Sequence, residues 1–572
     1  MLRSVSTSSK RAFPSSLPLL PVLLLALSHA ALAQPDAGTL RQQIEQGQPP
    51  AMPREAVPAK PAEPAPLKAP EGTTVSVTAF RFVGNTLLSA DQLAPAVAPF
   101  LNRPLDLTEL RKAAAAVAAA YREAGWVVRA YLPRQDIRDG VVTIQIVEAV
   151  FGRAIIDGDA PARFPASTAL DMVARHQQAG DTLDARAIDR ALLLIDDLPG
   201  VAAMGNYRPG GKQGETDVVL KLADEPLTRF EVGADNAGSR STGAERLLAN
   251  MALNSPLGMG DLVSANYLHT RGSDYLRTAF TLPVGLDGLR IGINGSLLRY
   301  RLVSREFDAI DGKGRSGSVG LEANYPVVRA RLRNLYLLLN HDRKTFDNEA
   351  NGATTTEYRL HTTSIGLAGN LFDSFGGGGA NTASLFYTTG KLDLGGSPNQ
   401  TADALTTRTH GRFDKWRYAL SRQQVITRDI TLLAALAGQW TRDNLDSSEK
   451  FYLGGAYGVR AYPASEAGGA IGQMINIEAR IRLPHGFTLS PFYDRGRVRV
   501  NARNDFTGAA DPNTITLEGA GLALGWQSEQ GLSAKLTWAR RLGSNPNPTL
   551  TGKDQDGSLV KNRVWASVML PF

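Results

Sequence analysis

The sequence predicts an all-β transmembrane barrel of 16 antiparallel strands, preceded by two small α+β modules and a short N-terminal helix. Three observations carry this prediction. From Thr228 to Phe572, apolar and polar residues alternate with the period of a β-strand. The alternation divides into an even number of candidate strands with short and long connections in turn. After residue 33 no apolar run is long enough for a spanning helix, so a membrane-embedded mature chain has to cross with strands.

The first 33 residues predict a cleaved secretory signal peptide. A basic segment precedes the apolar run Leu17 to Leu27, and the small-x-small pattern Ala31-Leu32-Ala33 follows it. The alternative, a membrane-anchoring helix, fails because the run is well short of the roughly 20 apolar residues of a helical span. We expect the mature chain to begin at Gln34.

Residues 34–48 and 49–73 predict a short helix followed by a proline-rich linker. The helical stretch, Thr39 to Gly47, is shorter than the dozen or so residues that hold a helix in water unaided, so it needs a host. The linker has eight prolines between Pro49 and Pro70. Fully extended, it reaches roughly 70 Å, the height of a membrane barrel. The alternative is a disordered tail without a function.

Residues 74–150 and 151–226 predict two tandem βααββ modules. In the first, the strand Val75 to Val83 precedes a helix capped by Ser89 that reaches Leu101. A second helix, capped by Asp106, ends at Glu123, and strands follow over Val127 to Leu132 and Val141 to Val147. The second module opens with Ile155-Ile156, has helices over Ser167 to Gln178 and Asp184 to Leu194, and closes with strands over Val201 to Arg208 and Thr216 to Leu222.

Residues 227–572 predict the barrel. The candidate strands begin near Phe230, Glu245, Asp261, Tyr275, Leu289, Ser316, Leu335, His361, Asn381, Gly411, Ile430, Gly472, Phe487, Thr514, Leu532 and Arg563. Connections after even-numbered strands are short, except for a loose one around Gly376 to Gly379, and those after odd-numbered strands are mostly longer and polar. The last strand ends on an aromatic residue, Phe572, as a barrel signature.

Composition and motifs argue against several function classes. The net charge of +7 is spread too thinly over the chain for nucleic-acid binding. There is no cysteine, no G-x-S-x-G or H-E-x-x-H motif and no P-loop, and no two histidines stand at i and i+4. We therefore predict no enzyme activity, no metal site and no cofactor.

One connection has the wrong composition for a solvated loop. The segment Phe451 to Pro463, between the eleventh and twelfth strands, is aromatic and glycine-rich around Arg460. Two strands later, alternation places Phe492, Asp494 and Gly496 on the lumen side. If the loop folds inward, Arg460 can meet Asp494 in a charge-assisted pair, with Gly496 leaving room. The alternative is that Arg460 lies in surface water and Asp494 merely lines a wet pore.

These residues resemble those of a known family. The modules are similar to polypeptide-transport-associated (POTRA) domains, and the segments Gly84 to Ser89, Tyr131 to Gln135 and Leu198 to Val201 resemble two-partner secretion transporters, a haemolysin and haemagglutinin secretion family of the barrel insertase superfamily. In that family an arginine in a V-R-G-Y loop pairs with the aspartate of an F-x-D-x-G strand.

The resemblance implies site residues and roles for this chain. Its pore-loop motif covers Gly458, Val459, Arg460 and Tyr462, with Ala461 in place of the usual glycine, so the local backbone can differ. The lumenal strand partner would be Phe492, Asp494 and Gly496, the pair Arg460 and Asp494 a gate or tether, and Thr39 to Gly47 a lumenal plug.

The implied function is secretion of one large, unfolded exoprotein, adhesin-like or haemolysin-like. The POTRA domains would recognise it in the periplasm and the barrel would pass it across the outer membrane. Further expected partners are outer-membrane lipid and the barrel assembly machinery. An assembly factor that inserts other barrels is a second reading, against which the two modules and the plug argue. A passive porin or receptor is a third, for which a periplasmic arm is superfluous.

Overall fold

The computed structural model describes residues 35–46, 74–464 and 466–572. These residues form a short helix α1 (Ala37–Gln46), two small α+β modules and one closed barrel. The predicted signal peptide (1–33) and the predicted linker (49–73) lie outside the described residues. Within the described ranges, no helix combines the length and the apolar character needed to cross a bilayer.

The first module packs two helices on a three-stranded sheet. Its elements are β1 (Val75–Val77), β2 (Ala79–Val83), α2 (Ala90–Val97), β3 (Arg103–Leu105), α3 (Leu107–Ala124), β4 (Val128–Tyr131) and β5 (Val141–Glu148). Ser89 and Asp106 cap α2 and α3 as predicted, each in a reciprocal capping box. The central strand β5 is parallel to β2 and antiparallel to β4.

Two boundaries in this module differ from the prediction. The strand predicted over Val75 to Val83 breaks at Thr78, whose backbone N–H donates to the Gly140 carbonyl at 2.8 Å. There the chain changes partner, because β1 pairs with the unpredicted β3 whereas β2 pairs with β5. The helix predicted to reach Leu101 ends early in a 3-10 turn, since Pro99 has no N–H to continue the helical pattern.

The second module repeats this architecture. Its elements are β6 (Val150–Ile156), α4 (Ala166–His176), α5 (Ala185–Asp196), β7 (Val201–Pro209) and β8 (Glu215–Asp224). The central strand β8 is parallel to β6 and antiparallel to β7, as in the first module. Its first strand starts earlier than the predicted Ile155-Ile156. The predicted order of strands and helices is confirmed in this module, whereas the first module has the additional strand β3 between its two helices.

The second module is docked on one rim of the barrel by two bidentate ion pairs. The guanidinium of Arg329 binds both carboxylate oxygens of Asp197, at 2.7 and 2.8 Å. Arg331 binds Asp189 in the same way, at 3.0 and 2.7 Å. Arg329 is the last residue of a barrel strand and Arg331 lies in the short connection that follows it, so the rim with short turns faces the modules.

The barrel closes with 16 antiparallel strands, which confirms the predicted fold class. They are β9 (Thr228–Asp235), β10 (Arg246–Asn254), β11 (Leu262–Thr270), β12 (Ser273–Val284), β13 (Leu289–Arg301), β14 (Lys313–Arg329), β15 (Arg333–Ala350), β16 (Ala353–Asp373), β17 (Gly379–Asp393), β18 (Gly411–Val425), β19 (Ile430–Thr441), β22 (Ile471–Arg482), β23 (Phe487–Arg499), β24 (Thr514–Gln527), β25 (Ser533–Arg541) and β26 (Asn562–Pro571). Two short strands, β20 (Phe451–Tyr452) and β21 (Gly468–Gly469), and a helix α6 (Gln400–Leu405) lie in connections.

Connection lengths follow the predicted alternation, with two short exceptions on the side of the long loops. On the module side they run from 330–332, the shortest, to 255–261, the longest, and the predicted loose one, 374–378, is short as well. On the opposite side, 442–470 is the longest, but 271–272 and 351–352 are two-residue turns. Closed pairing leaves no unsatisfied strand edge in lipid.

The turn at 351–352 explains the largest error in a predicted strand start. Asn351 and Gly352 both have positive φ (51° and 74°), as a type I′ hairpin turn requires. The tight turn lets β16 start at Ala353 and pair with β15 along almost its full length, whereas the predicted start was His361. The Asn-Gly dipeptide in the sequence was the available signal for this hairpin.

On β22 the apolar face points outward and the polar face points into the lumen. On β22, Ile475 and Ile477 are 36% and 38% exposed, whereas Glu478 on the opposite face is 7% exposed. Such an outward apolar belt around a polar interior fits a barrel with lipid outside.

Candidate functional site

The longest connection, 442–470, folds back into the barrel, and we call it the lumenal loop. Leu453, Val459 and Tyr462 in this loop are at most 1% exposed. They pack against inward side chains of the barrel wall, including Phe492 and Leu517. At the base of the loop β20 and β21 pair with each other. The inward position agrees with the apolar composition of the segment.

Arg460 lies at the centre of the contact between the loop and the wall. Its guanidinium binds Asp494 on β23 through two parallel hydrogen bonds, Nε to Oδ2 at 2.9 Å and Nη2 to Oδ1 at 2.8 Å. Its backbone N–H donates to the same Oδ2 at 3.1 Å. Asp494 is fully buried and Arg460 is 7% exposed. Paired, charge-assisted bonds of this kind fix geometry as well as charge.

Glu478 is a partner of Arg460 that the sequence analysis missed. Its Oε2 accepts from Arg460 Nη1 at 2.9 Å, and its Oε1 accepts from Arg480 Nε at 3.0 Å. The pairing of β22 with β23 sets Glu478 opposite Phe492 and Asn476 opposite Asp494. Strand alternation in the sequence places Glu478 on the polar face of β22, but only the pairing register brings it to the arginine.

Uncharged groups complete the surroundings of Arg460. The Phe492 ring centroid lies 3.3 Å from the Arg460 Cζ atom, a close cation–π contact. Asn476 Nδ2 donates to Asp494 Oδ1 at 2.8 Å. Trp565 on β26 donates from Nε1 to the Arg460 carbonyl at 2.7 Å. Three different strands, β22, β23 and β26, therefore hold one loop residue.

Gly496 provides space for the loop, as the sequence analysis expected, but the space is filled by other residues. A Cβ at Gly496 would lie 2.6 Å from Leu453 Cδ2 and 3.2 Å from Val459 Cγ2. The approach that Gly496 permits is thus that of apolar loop side chains. Next to Val459, Gly458 has the Leu453 carbonyl packed against its Cα, so the loop turns tightly there.

Ala461 and Tyr462 dock on the wall beyond Arg460. Ala461 does not have a positive φ angle, so an alanine is accepted where the family's usual residue is glycine. Its methyl group lies 2.5 Å from the position of a Cβ on Gly519. The Tyr462 ring stacks under the guanidinium of Arg541, with Cζ 4.4 Å from the ring centroid.

The C-terminal Phe572 lies far from this cluster, at the seam of the barrel. Its backbone N–H donates to the Phe230 carbonyl at 2.7 Å, and the two rings lie 5.9 Å apart. Its side chain is 71% exposed. The residue therefore belongs to barrel closure and not to the lumen.

Helix α1 lies in the lumen and contacts both the wall and the lumenal loop. The Ser447 hydroxyl donates to both carboxylate oxygens of Asp36, at 2.9 and 2.7 Å. Thr39 Oγ1 and the Tyr452 hydroxyl are 3.0 Å apart. On the wall side, Arg41 donates to the Ser318 hydroxyl at 2.7 Å. The predicted helix is present, beginning at Ala37, and its polar residues Thr39, Arg41 and Gln42 are buried.

Two carboxyl groups, one on α1 and one next to it, have shifted pKa values. Burial raises the pKa of Glu45, but the cations Arg41 and Lys344 lower it more, so that the pKa of this carboxyl falls below its ordinary value. Burial, reinforced by the neighbouring Asp36 carboxylate, raises the pKa of Asp446 to about 6. Positive and negative groups are thus interleaved between the helix and its surroundings.

Within the described residues no three His, Cys, Asp or Glu side chains are grouped as metal ligands.

A barrel preceded by POTRA-like modules, with a helix and an arginine loop in its lumen, defines a class of outer-membrane transporter. The sequence model of the haemolysin secretion/activation proteins ShlB/FhaC/HecB matches residues 214–527, more than half of the chain. This chain belongs to that family. A second model, the ShlB-type POTRA domain, matches residues 75–149.

Individual relatives are similar over most of their length. The heme/hemopexin transporter protein HuxB of Haemophilus influenzae (strain 86-028NP) is 24% identical over 575 residues, 96% of this chain and 97% of HuxB. The outer membrane transporter CdiB of Dickeya dadantii is 26% identical over 410 residues, 70% of this chain and 71% of CdiB. The family consists of two-partner secretion transporters of the outer membrane, with POTRA domains in the periplasm.

Solved structures agree with the fold. CdiB from Escherichia coli superposes with a TM-score of 0.63 at 21% identity, covering 98% of this chain and all of CdiB. BamA from Haemophilus ducreyi, lacking POTRA domains 1–3, superposes with a TM-score of 0.53 at 14% identity, covering 87% of this chain and all of that one. At these identities the likeness concerns architecture alone.

Proposed function

We propose that this chain recognises one large exoprotein, unfolded in the periplasm, and secretes it through the barrel lumen. Helix α1 and the lumenal loop close this route between secretion events. The observation that carries the proposal is the filled lumen, in which α1 is attached by hydrogen bonds and apolar packing, and the loop by these and by the Arg460 ion pairs. Such attachments can break while the barrel wall stays closed.

The proposal assigns a task to each part of the chain. Residues 1–33 direct export, residues 34–48 form the plug and residues 49–73 tether it. Residues 74–150 and 151–226 are two POTRA domains that receive the client, and residues 227–572 are the pore. Phe572 serves recognition by the barrel assembly machinery during insertion. Because the sequence has no P-loop, we propose that folding of the client outside biases its movement outward.

Within the lumen, the proposal gives Arg460 and Asp494 the role of a tether. The neighbouring Gly458, Val459 and Tyr462 shape the loop that carries the arginine. Phe492 and Gly496 form the surface of β23 against which this loop packs. Support comes from the burial of Asp494 and from the three bonds that it accepts from Arg460.

Client recognition is proposed to occur by strand addition to the outer edge of β7. In the second module β7 pairs with β8 on one side only, so its other edge offers free backbone groups. Met204 and Tyr207 on this strand are 65% and 45% exposed, which provides apolar contacts beside the edge. An unfolded segment pairs there without a preformed structure of its own.

Hydrogen exchange tests this edge. Adding an unfolded fragment of the client to the full-length chain is expected to protect the backbone amides of β7, because they gain a strand partner. The central strand β8, already paired on both sides, is the internal control and is expected to change little. Unchanged exchange in β7 at a client concentration that supports binding would contradict recognition at this edge.

Deletion of the gene tests the function as a whole. We expect a single large protein to disappear from the culture medium and to return when the full-length chain is supplied. The name of HuxB connects that relative with heme and hemopexin, so a haem-scavenging client is one outcome beside an adhesin or a haemolysin. A medium whose protein content is the same with and without the gene would contradict the proposal.

A further inference from the structure

A row of four basic side chains crosses the outer face of the barrel on the side away from the modules. The cross-strand partners are Arg343 and His361, then His361 and Lys391, then Lys391 and Arg412. These strands are β15, β16, β17 and β18. Directly opposed residues in antiparallel strands are about 5 Å apart, and like charges at that distance, such as those of Lys391 and Arg412, destabilise a sheet.

The four side chains point outward. Their sequence neighbours Lys344, Leu360, Leu392 and Phe413 point into the lumen, where the three apolar ones are at most 5% exposed. Alternation along each strand therefore places the basic row on the lipid side of the wall. Within the described residues, none of these four side chains forms an ion pair or a hydrogen bond.

Adjacent rows on the same face follow the ordinary pattern. Arg315 forms an ion pair with its partner Asp347 at 2.9 Å, and Lys313 pairs with Glu349 at 3.3 Å. Asp393 and Asp414 lie near the basic row, but their cross-strand partners are Arg359 and Thr389. The row of four thus contains no carboxylate.

The height of the row on the barrel identifies what surrounds it. A second row lies four residues closer to the modules along each strand and belongs to the outward apolar belt. It is formed by Leu339, Ile365, Tyr387 and Trp416. The Tyr387 and Trp416 rings are 4.9 Å apart and mark an aromatic girdle. With strands tilted by about 40°, four residues rise about 10 Å above the girdle, which is the level of lipid headgroups.

We propose that this row, Arg343, His361, Lys391 and Arg412, binds the phosphate groups of an anionic glycolipid in the outer leaflet. The modules mark the periplasmic rim, so the row lies at the opposite, cell-surface end. Arginine and lysine side chains bind phosphate oxygens strongly, and a phosphorylated headgroup offsets the repulsion within the row. Acyl chains of the same lipid cover the aromatic and aliphatic row beneath. The barrel would hold one lipid in a fixed position beside β15 to β18.

The test uses the full-length chain in detergent, with phosphorylated lipid A as the probe and native mass spectrometry as the readout. We expect the triple variant R343Q/K391Q/R412Q to bind lipid A at least about tenfold more weakly than the wild type. The control variant R495Q/R497Q/R499Q removes three exposed outward arginines from β23 and is expected to bind like the wild type. Heat-modifiable migration in gels checks that each barrel is folded.

Further arms of the same test separate the sources of binding. Dephosphorylated lipid A is expected to bind the wild type as weakly as phosphorylated lipid A binds the triple variant. Three results would each overturn the proposal. They are equal binding of both lipids by the wild type, an equal loss of lipid A binding in the two triple variants, and displacement of lipid A by inorganic phosphate at the same concentration as the lipid. If the triple variant does not fold, two other measurements replace it. The single variant K391Q is expected to bind lipid A more weakly than the wild type, and the wild type is expected to bind lipid A more weakly at high salt.

Discussion

Arg460 joins two buried carboxylates that repel each other in its absence. Asp494 takes two side-chain bonds and Glu478 takes the third, which matches the forked geometry of a guanidinium. A lysine is a point donor and cannot form the paired bond. The identity of this residue therefore follows from the geometry of the wall and not only from its charge.

Replacing Arg460 by alanine is expected to undock the lumenal loop. Two buried carboxylates would lose their main cation, a change that costs about 3–5 kcal/mol in comparable buried pairs. We expect secretion of the client to fall strongly, while heat-modifiable migration shows that the barrel is inserted. R460K should fall between the alanine variant and the wild type.

A matched control is Arg495, whose side chain is 58% exposed and pairs with Glu518 on the outer face. Exposed ion pairs contribute little, so R495A should secrete like the wild type. Undiminished export by R460A and by D494A would contradict a role for the pair in gating.

The lumenal loop is an element that is held by apolar packing as well as by charge. Ala461, Val459 and Leu453 fit against glycines of the wall, and Gly519 is the closest case. Loop and wall are therefore complementary in shape at the level of single methyl groups.

This complementarity predicts a rescue. G519A alone would bring two Cβ atoms to 2.5 Å and should lower the melting temperature of the chain and impair loop docking, because overpacking costs about 1–3 kcal/mol. The double variant A461G/G519A moves the methyl group from the loop to the wall and is expected to restore both properties. Equal defects in the single and the double variant would show that the loop does not lie against Gly519.

The elements differ in how far the sequence determines them. Strand alternation and helix caps are local signals, so the barrel strands and the caps at Ser89 and Asp106 were predicted correctly. The split at Thr78 and the strand β3 depend on a partner distant in the chain, which no local pattern specifies. For the site, the family motif indicated the pair Arg460 and Asp494. Glu478 and Trp565 were missed because only strand register and barrel closure bring them near.

The molecule as a whole combines a closed wall with a lumen that is filled by helix α1 and the lumenal loop. The wall has paired strands all the way round, so it can remain intact while its contents move. Inside, helix α1 rests on the lumenal loop through Asp36 and Thr39, and the loop rests on the wall through Arg460. At the module rim, Asp197 and Asp189 connect the second module to the barrel. The modules, to which we propose that the client binds, thus lie next to one end of the lumen.

A reversible cross-link between α1 and the loop tests whether the helix has to leave. A Cβ on Gly38 would lie 3.0 Å from the Ser448 Cβ, close to the roughly 3.5–4.5 Å that a disulfide spans. The chain has no cysteine, so in G38C/S448C only the introduced pair can form a disulfide within the chain. We expect the oxidised variant to be inserted but to export no client, and a reducing agent to restore export, with the two single variants active throughout. Export by the fully cross-linked chain at the wild-type level would contradict the account.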